Sequence, residues 1–189
     1  MSDNYYKTKE GVQEYIALAK DVNGSLLIDQ LKKFLPINST LLEIGTGPGT
    51  DWNLLKEDYK VIGSDNSLEF LNHLKTTYPT GQFLHLDAIT LSTNSTFEGI
   101  YSNKVMQHLN NSEISESIRS QHRITAANGI VCHSFWKGEG SEIFKGLYVQ
   151  YHTKKSILKY FEKYFKVLLI EEYDEFDKGD SLLFIGKKK

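Results

Sequence analysis

The sequence contains few of the residues that build a disulfide framework or a nucleic-acid-binding surface. Its single cysteine, Cys132, has no partner for an internal disulfide, and its apolar neighbours predict a small buried strand residue rather than a catalytic thiol. Only two of the 22 basic residues, Arg119 and Arg123, are arginines, the residue type best suited to bind phosphates in a bidentate manner. With a net charge of −2, this composition argues against nucleic acid as a partner.

Long apolar runs are also missing. None approaches the roughly 20 residues that a membrane-spanning helix needs, and residues 1–4 start a polar, partly acidic N-terminus without the apolar segment of a secretory leader. These absences predict a cytoplasmic protein with no membrane partner. What the chain does have, 189 residues of which 40% are hydrophobic, is enough to bury the core of one globular domain.

The spacing of apolar residues predicts helices and strands in alternation. Residues 10–35 have helical spacing, with a break at Asn23 and Gly24 and an end at Pro36. Further on, strands alternate with helices, which implies a parallel sheet with right-handed crossovers. The predicted strands are 41–44, 60–65, 82–87, 97–103 and 129–135, and the predicted helices are 51–58, 67–77 and 111–127.

The C-terminal part of the chain departs from this alternation. Residues 136–152 contain three glycines and five aromatic or histidine residues and are longer than an ordinary connection, so they form either a substrate loop or a surface insertion. Residues 153–165 have the spacing of a helix. Two apolar segments, 165–173 and 181–186, are separated by a turn, which predicts an antiparallel hairpin.

A glycine-rich turn directly follows the strand predicted at 41–44. Gly45 and Gly47 allow the backbone to bend sharply and to approach a ligand closely, as at a site for a nucleoside-bearing cofactor. Asp65 lies 20 residues after Gly45, the spacing at which nicotinamide dehydrogenases carry the acid that holds the ribose. However, Thr50 stands where those enzymes have a third glycine or an alanine. The turn by itself leaves both cofactor classes open.

Three segments in one order point to a particular family. They read E-I-G-T-G-P-G at 43–49, G-S-D-N at 63–66 and L-D-A at 86–88. In this order, and with the predicted terminal hairpin, the chain resembles the class I S-adenosylmethionine-dependent methyltransferases. Residues 101–109 are similar to the corresponding segment of the small, single-domain type 11 or methyltransferase-domain group.

This resemblance implies an α/β fold and a cofactor. The fold would be a Rossmann-like three-layer sandwich, with a seven-stranded, mostly parallel sheet and an antiparallel C-terminal hairpin strand. It would form one domain, with an N-terminal helical cover at 1–36 and the Rossmann-like core at 37–189. S-adenosyl-L-methionine would be the cofactor and S-adenosyl-L-homocysteine the product.

The resemblance also implies a set of cofactor-binding residues. Asp65 would accept hydrogen bonds from both ribose hydroxyls, a role suited to an ionised carboxylate. Asp87 would accept from the adenine amino group, and the backbone amide of Ala88 would face a ring nitrogen. Asn66 would lie beside the adenosine, or would instead cap the next helix together with Glu69. The implied residues are Glu43, Gly45, Thr46, Gly47, Asp65, Asn66, Asp87, Ala88 and Asn103.

Some of these residues would contact the methionyl end of the cofactor. Gly45 and Gly47 would line the methionyl and ribose part, and Asn103 would lie close to the amino-acid moiety. Glu43 would orient the turn by accepting backbone N–H groups, or would be a purely structural acid at a strand end.

Methyl transfer requires little chemistry from the protein, because the cofactor's sulfonium already makes the methyl group electrophilic. Where the acceptor is a hydroxyl or a protonated amine, a base must remove a proton, and His108 is the candidate because it follows the fourth predicted strand. His133 and His152 are weaker candidates, and a structural role for each histidine stays open. The histidines lack metal-ligand spacing such as H-x-x-x-H, which predicts no metal site.

Two motifs that the chain lacks narrow the class of molecule that could accept the methyl group. Residues 102–105 read S-N-K-V, not the N/D-P-P-Y/F motif of amine-directed DNA, RNA and protein-glutamine methyltransferases, and the chain has no Pro-Cys pair for cytosine C5 chemistry. A small molecule is therefore the expected acceptor. Aromatic residues that would line its pocket, and that could equally be core, are Trp136, Phe144, Tyr148 and Tyr151, with Tyr15 as a cover.

Two other functions stay open from the sequence alone. One is an NAD-dependent Rossmann oxidoreductase, and the other is a protein that binds S-adenosylmethionine without turnover. No pattern in the chain predicts its oligomeric state.

Overall fold

A seven-stranded sheet forms the centre of the protein. The computed structural model describes residues 5–20 and 22–189, so residues 1–4, where the polar N-terminus starts, lie outside the described part, as does residue 21. The strands of the sheet are β1 (Thr40–Ile44), β2 (Lys60–Asp65), β3 (Gln82–His85), β4 (Phe97–Ser102), β5 (Thr125–Trp136), β8 (Phe165–Tyr173) and β9 (Ser181–Lys188), and a separate pair consists of β6 (Ser141–Phe144) and β7 (Leu147–Gln150). The strand order of the large sheet is β3-β2-β1-β4-β5-β9-β8.

The directions of the strands confirm the predicted fold. β1 to β5 pair in parallel, whereas β9 lies antiparallel between β5 and β8. The terminal hairpin therefore extends the parallel sheet by two strands, β9 and β8, which pair antiparallel. One consequence is geometric: the turn between β8 and β9 lies at the same edge of the sheet as the carboxyl end of β5, because Trp136 pairs with Ser181.

Helices cover both faces of the sheet. They are α1 (Lys9–Leu18), α2 (Ser25–Leu31), α3 (Thr50–Leu55), α4 (Leu68–Thr77), α5 (Asn111–Ile124) and α6 (Lys154–Phe161). Adjacent residues of β1 show the layering: Leu41 packs in a cluster with α2 and α3, and Leu42 packs in a second cluster with α5 and α6. Successive side chains of a strand point to opposite faces, so one buried strand serves both cores. No helix in the described residues combines the length and apolarity of a membrane span.

The predicted loop at 136–152 contains secondary structure of its own. It forms the hairpin β6–β7, whose two-residue turn consists of Lys145 and Gly146, both with positive φ (51° and 80°). Such a turn matches the twist of paired strands. Leu147 and Val149 are buried, whereas Ile143 and Phe144 are exposed. Strand β7 thus packs into the protein, whereas strand β6 keeps two large apolar side chains exposed.

Candidate functional site

The carboxyl ends of β1 to β4 meet around a cavity of about 680 Å³. Parallel strands bring the turns that follow them to one edge of a sheet, which is where ligands bind in folds of this kind. Seven of the nine implied cofactor residues line this cavity, and the other two, Glu43 and Thr46, line an adjoining cavity of about 320 Å³. The seven are Gly45, Gly47, Asp65, Asn66, Asp87, Ala88 and Asn103.

The glycine turn is shaped for close approach. Gly45 has a φ of 66°, and a Cβ atom placed on it would lie 2.5 Å from Cγ2 of Val105. Another residue type there would therefore strain the backbone and clash with the segment after β4. Thr46 ties the turn to β2: its N–H donates to the Ser64 carbonyl, and its hydroxyl accepts from the Ser64 N–H, each at 2.9 Å.

Asp65 joins the glycine turn to the end of β2. Its Oδ2 accepts a hydrogen bond from the N–H of Gly47 at 2.9 Å, and its Oδ1 accepts from the N–H of Ser67 at 2.8 Å. Burial raises the pKa of Asp65, and the N–H groups of Ser67 and Gly47 act in the opposite direction. Each carboxylate oxygen can accept two hydrogen bonds, so both retain capacity for a ligand hydroxyl. Asp65 thus holds the turn as well as facing the cavity.

Asp87 and Asn66 form the other end of the cavity. Asp87 Oδ1 accepts from the N–H groups of Ile89 (2.7 Å) and Thr90 (3.2 Å), and Asn66 Nδ2 lies 3.4 Å from Asp87 Oδ2. The cap of α4 is Ser67, whose hydroxyl accepts from the N–H of Phe70. The alternative in which Asn66 caps this helix is therefore wrong, and its side chain lines the cavity instead.

A buried acidic pair lies beside the glycine turn. Glu43 is 3% exposed, and its Oε2 has no hydrogen-bond partner among the described residues. Burial first, and then the charge of Asp51, raise the pKa of Glu43 well above its usual range. No backbone N–H of the described residues donates to this carboxylate, in contrast to the expectation that it orients the turn in that way. Asp65 performs that task.

Asp51 is a site residue that the sequence patterns did not indicate. It is buried in the first turn of α3 and accepts from the Gly24 N–H (2.6 Å), the Tyr101 hydroxyl (2.7 Å) and Asn103 Nδ2 (3.1 Å). The only local signal was an acidic residue just after the glycine turn, which is common at a helix start. Its partners come from β4, from the segment before α2 and from the turn after β4.

The structure brings one of the three candidate histidines to the cavities. His108 lines both, and its Nδ1 lies 2.9 Å from the Tyr148 carbonyl. Because a carbonyl only accepts, Nδ1 carries the proton and Nε2 is the basic nitrogen of the neutral ring. His133 is fully buried between Ser102 and Gln121, and burial lowers its pKa to about 3.

His152 is also remote from the cavities. It is 2% exposed and packs edge-on against Phe135, with ring centroids 5.1 Å apart. Burial lowers its pKa to about 4. Neither His133 nor His152 lines either cavity, so His108 is the histidine that can meet a ligand there.

The aromatic residues that the sequence suggested as pocket walls also differ in whether they line a cavity. Tyr15 lines both cavities, Tyr148 the first, and Trp136 and Phe144 the second, while Tyr151 lines neither and donates to Glu142 instead. Tyr15 belongs to α1, and its ring contacts the rings of Tyr6 and Phe70 edge-on. Three further polar residues of the second cavity had no signal in the sequence: Lys104, Gln107 and Glu175.

The central part of the chain matches a known family model. Residues 41–129 match the model described as methyltransferase domain, a range that includes β1 from its second residue, the glycine turn and all of β2 to β4. No curated protein matches the chain significantly.

Solved structures with the same architecture cover nearly the whole chain. N-methyltransferase NodS from Bradyrhizobium japonicum WM9, solved with S-adenosyl-L-homocysteine, has a TM-score of 0.74 and 16% identity over 98% of this chain and 99% of that protein. A S-adenosylmethionine-dependent methyltransferase from Clostridium acetobutylicum ATCC 824 has a TM-score of 0.76 and 11% identity, over 95% and 98%. The Burkholderia thailandensis 1,6-didemethyltoxoflavin-N1-methyltransferase has 0.70 and 16%, over 87% and 76%. At these identities the likeness establishes the fold.

Proposed function

We propose that this chain, which belongs to the class I S-adenosylmethionine-dependent methyltransferases, transfers a methyl group to a small-molecule acceptor. The observation that carries the proposal is the convergence of the glycine turn, Asp65 and Asp87 on one cavity, next to a second cavity that the turn shares and that the acidic pair lines. The match to a methyltransferase domain counts against the NAD-dependent oxidoreductase. A small acceptor is supported by the Burkholderia neighbour, which was solved with 1,6-didemethyltoxoflavin bound.

The residues at the cavity fit S-adenosylmethionine. Asp65 would hold the ribose hydroxyls, and Asp87 with the Ala88 amide would hold the adenine. The unpartnered Oε2 of Glu43, with Asp51 beside it, would accept hydrogen bonds from the amino group of the methionyl part. The absence of a side chain at Gly47 leaves room for the ligand against the turn, because the nearest neighbouring atom to a Cβ placed there is Tyr15 Cε1 at 3.9 Å. The ribose hydroxyls, the adenine and the amino group of the cofactor would thereby each meet a group of opposite hydrogen-bonding character.

The protein's contribution to methyl transfer is alignment and proton removal. When bound, the cofactor supplies a methyl group that is electrophilic because it is attached to a sulfonium. Tyr6 and Tyr15 cover the cavity and would exclude water from it. Nε2 of His108 would accept the proton that a hydroxyl or ammonium acceptor must lose, and its Nδ1–H bond to Tyr148 would hold the ring in place.

A transfer assay tests the function. The protein is incubated with methyl-labelled S-adenosylmethionine and a metabolite extract, and the products are separated by size. We expect label in a small molecule. Label only in macromolecules would contradict the small acceptor, and binding of S-adenosylhomocysteine without any transfer would identify a binding-only protein.

Replacing His108 tests the proposed base. We expect His108→Gln to lower turnover on the identified acceptor by a factor of about 10² to 10⁴, because this is the usual contribution of general base catalysis. Binding of S-adenosylhomocysteine, measured by calorimetry, should stay as in the wild type. His73→Gln, on α4 and outside both cavities, is the matched control. Full turnover in the His108 variant would remove this residue from the mechanism.

A further inference from the structure

The second cavity extends away from the glycine turn towards an aromatic rim. Asn103, Lys104 and His108 belong to both cavities, so a ligand in the second one lies next to the proposed cofactor site. Beyond them the walls are Trp136, Phe144 and Phe176. Phe144 and Phe176 are 57% and 67% exposed, so this end presents uncovered aromatic surface. The cavity is therefore suited to a ligand with an apolar or aromatic body.

Lys104 is a cation of this cavity that is already engaged with protein groups. Its Nζ lies 2.8 Å from Glu175 Oε2, 2.6 Å from the Ser181 hydroxyl and 3.4 Å from the Phe135 carbonyl, and 3.5 Å from the centre of the Trp136 ring. An ammonium has three hydrogen atoms, and these three oxygens account for them. Burial lowers the pKa of Lys104 to about 8, against the opposing effect of Glu175. An anionic ligand would find no donor left on this side chain.

Glu175 is held by one of its two oxygens. Oε2 receives Lys104 Nζ, the Tyr173 hydroxyl at 2.9 Å and the Ser181 hydroxyl at 3.4 Å, while no described residue donates to Oε1. The side chain is 14% exposed, and Oε1 is absent from the buried atoms that lack a partner, so it remains accessible. A carboxylate fixed by one oxygen presents the other to the cavity. Lys104 is thus the positioning residue for Glu175.

Gln107 is a second, independent acceptor in the same cavity. The residue is 5% exposed, and its Oε1 has no partner among the described residues. A buried polar atom that is left unpaired is destabilising, so a ligand that donates a hydrogen bond to it is favoured there. Lys145, the other lysine among the residues that line this cavity, is paired with Glu14.

We propose that the methyl acceptor is an organic amine with an apolar or aromatic body, whose protonated nitrogen binds between Glu175 and Gln107 under the Trp136 and Phe176 rings. This inference rests on the proposed function and adds the substrate class to it. A protonated amine supplies donors to both unengaged oxygens. Its positive charge is also favoured by the face of the exposed Phe176 ring, which packs beside Trp136, whereas Lys104 Nζ already lies over the Trp136 ring. An acid or a neutral alcohol of the same shape offers less to each of these groups.

The class of acceptor is tested by comparing how amines, alcohols and carboxylates of the same shape bind to the protein. The protein is saturated with S-adenosylhomocysteine, and calorimetry compares phenethylamine and tryptamine with the corresponding alcohols and carboxylates. We expect each amine to bind at least about tenfold more tightly than its alcohol, the difference that a hydrogen bond to a charged group provides, and the carboxylate to bind most weakly. A carboxylate that binds as tightly as the amine overturns the inference, and so does a lack of amine binding to the loaded protein.

Two variants test whether Glu175 and Gln107 are the residues that bind the amine. Glu175→Gln should weaken amine binding about tenfold and leave S-adenosylhomocysteine affinity unchanged, whereas Asp177→Asn, in the same turn and exposed, should change neither. Glu175→Gln also alters the partner of Lys104, so a second variant, Gln107→Met, is needed. It deletes an oxygen that has no partner, so we expect its amine affinity to fall while its melting temperature does not. Wild-type amine affinity in the folded variants contradicts the inference.

The two proposals fail in different ways. Failure of the proposed function would appear as a protein that does not bind S-adenosylhomocysteine, or that binds it and transfers no methyl group to a small molecule in the transfer assay. Failure of the amine inference alone would appear as normal S-adenosylhomocysteine binding with no preference for amines, or with amine binding that is independent of Glu175 and Gln107.

Discussion

Replacing Asp65 with alanine should weaken S-adenosylhomocysteine binding by at least about a hundredfold, because two hydrogen bonds to an ionised group contribute about 3 kcal/mol or more. The loss would have a second cause. Asp65 also accepts from the Gly47 and Ser67 N–H groups, so its removal releases the turn that shapes the cavity. Calorimetry on the purified variant measures the change directly.

Two further variants separate the causes of the Asp65 effect. Asp65→Asn keeps one oxygen for the backbone N–H groups but removes the charge, so its affinity should lie between those of the wild type and Asp65→Ala. Asp29→Ala, on the exposed side of α2, removes an acidic group outside both cavities and should bind normally. A folded Asp65→Ala protein with wild-type affinity would locate the ribose site elsewhere.

Asp51→Ala should lower the free energy of unfolding by about 3 kcal/mol, since it leaves several buried donors without an acceptor at about 1–3 kcal/mol each. The Tyr101 side chain is 0% exposed and loses its hydroxyl partner, and the Gly24 N–H loses a 2.6 Å hydrogen bond. Chemical denaturation followed by circular dichroism measures the change. The control Asp51→Asn retains an acceptor oxygen of the same reach and should lose less.

A double-mutant cycle shows whether Tyr101 carries part of the Asp51 effect. In a Tyr101→Phe background the unpaired hydroxyl is absent, so Asp51→Ala should cost less there than in the wild type. Equal costs in the two backgrounds would mean that the buried hydrogen bond is not the reason. A loss below about 1 kcal/mol for Asp51→Ala alone would contradict the assignment of Asp51 as the acceptor that holds these elements together.

The parts of the fold that depend on short-range patterns were predictable. β2 has the predicted bounds 60–65, because a strand's alternating burial is written in neighbouring residues. The break predicted at Asn23 and Gly24 does separate α1 from α2, but helix ends were less predictable. α2 ends at Leu31, well before Pro36, and α5 ends at Ile124 because Thr125 adopts the extended backbone of β5. Tertiary pairing with β4 overrides the local preference of residues 125–127 for a helix.

Candidate residues next to a strand end were also predictable, and those brought in from afar were not. Asp65 and Asp87 are read from their distance to the glycine turn, and both line the cavity. Glu175 has no such relation to any motif. It reaches the second cavity only because β9 runs antiparallel to β5, which returns the turn after β8 to the edge where Lys104 lies.

The sequence alone thus determined the alternation of strands and helices, the glycine turn and the acids that follow the strands, because each depends on backbone geometry and spacing within a few residues. The tertiary structure decided which distant groups meet. It selected His108 over His133 and His152, paired Asp51 with Tyr101, and set Glu175 against Lys104. The physical reason is that these contacts join segments from different strands, and their energies depend on burial and partners that no local pattern contains.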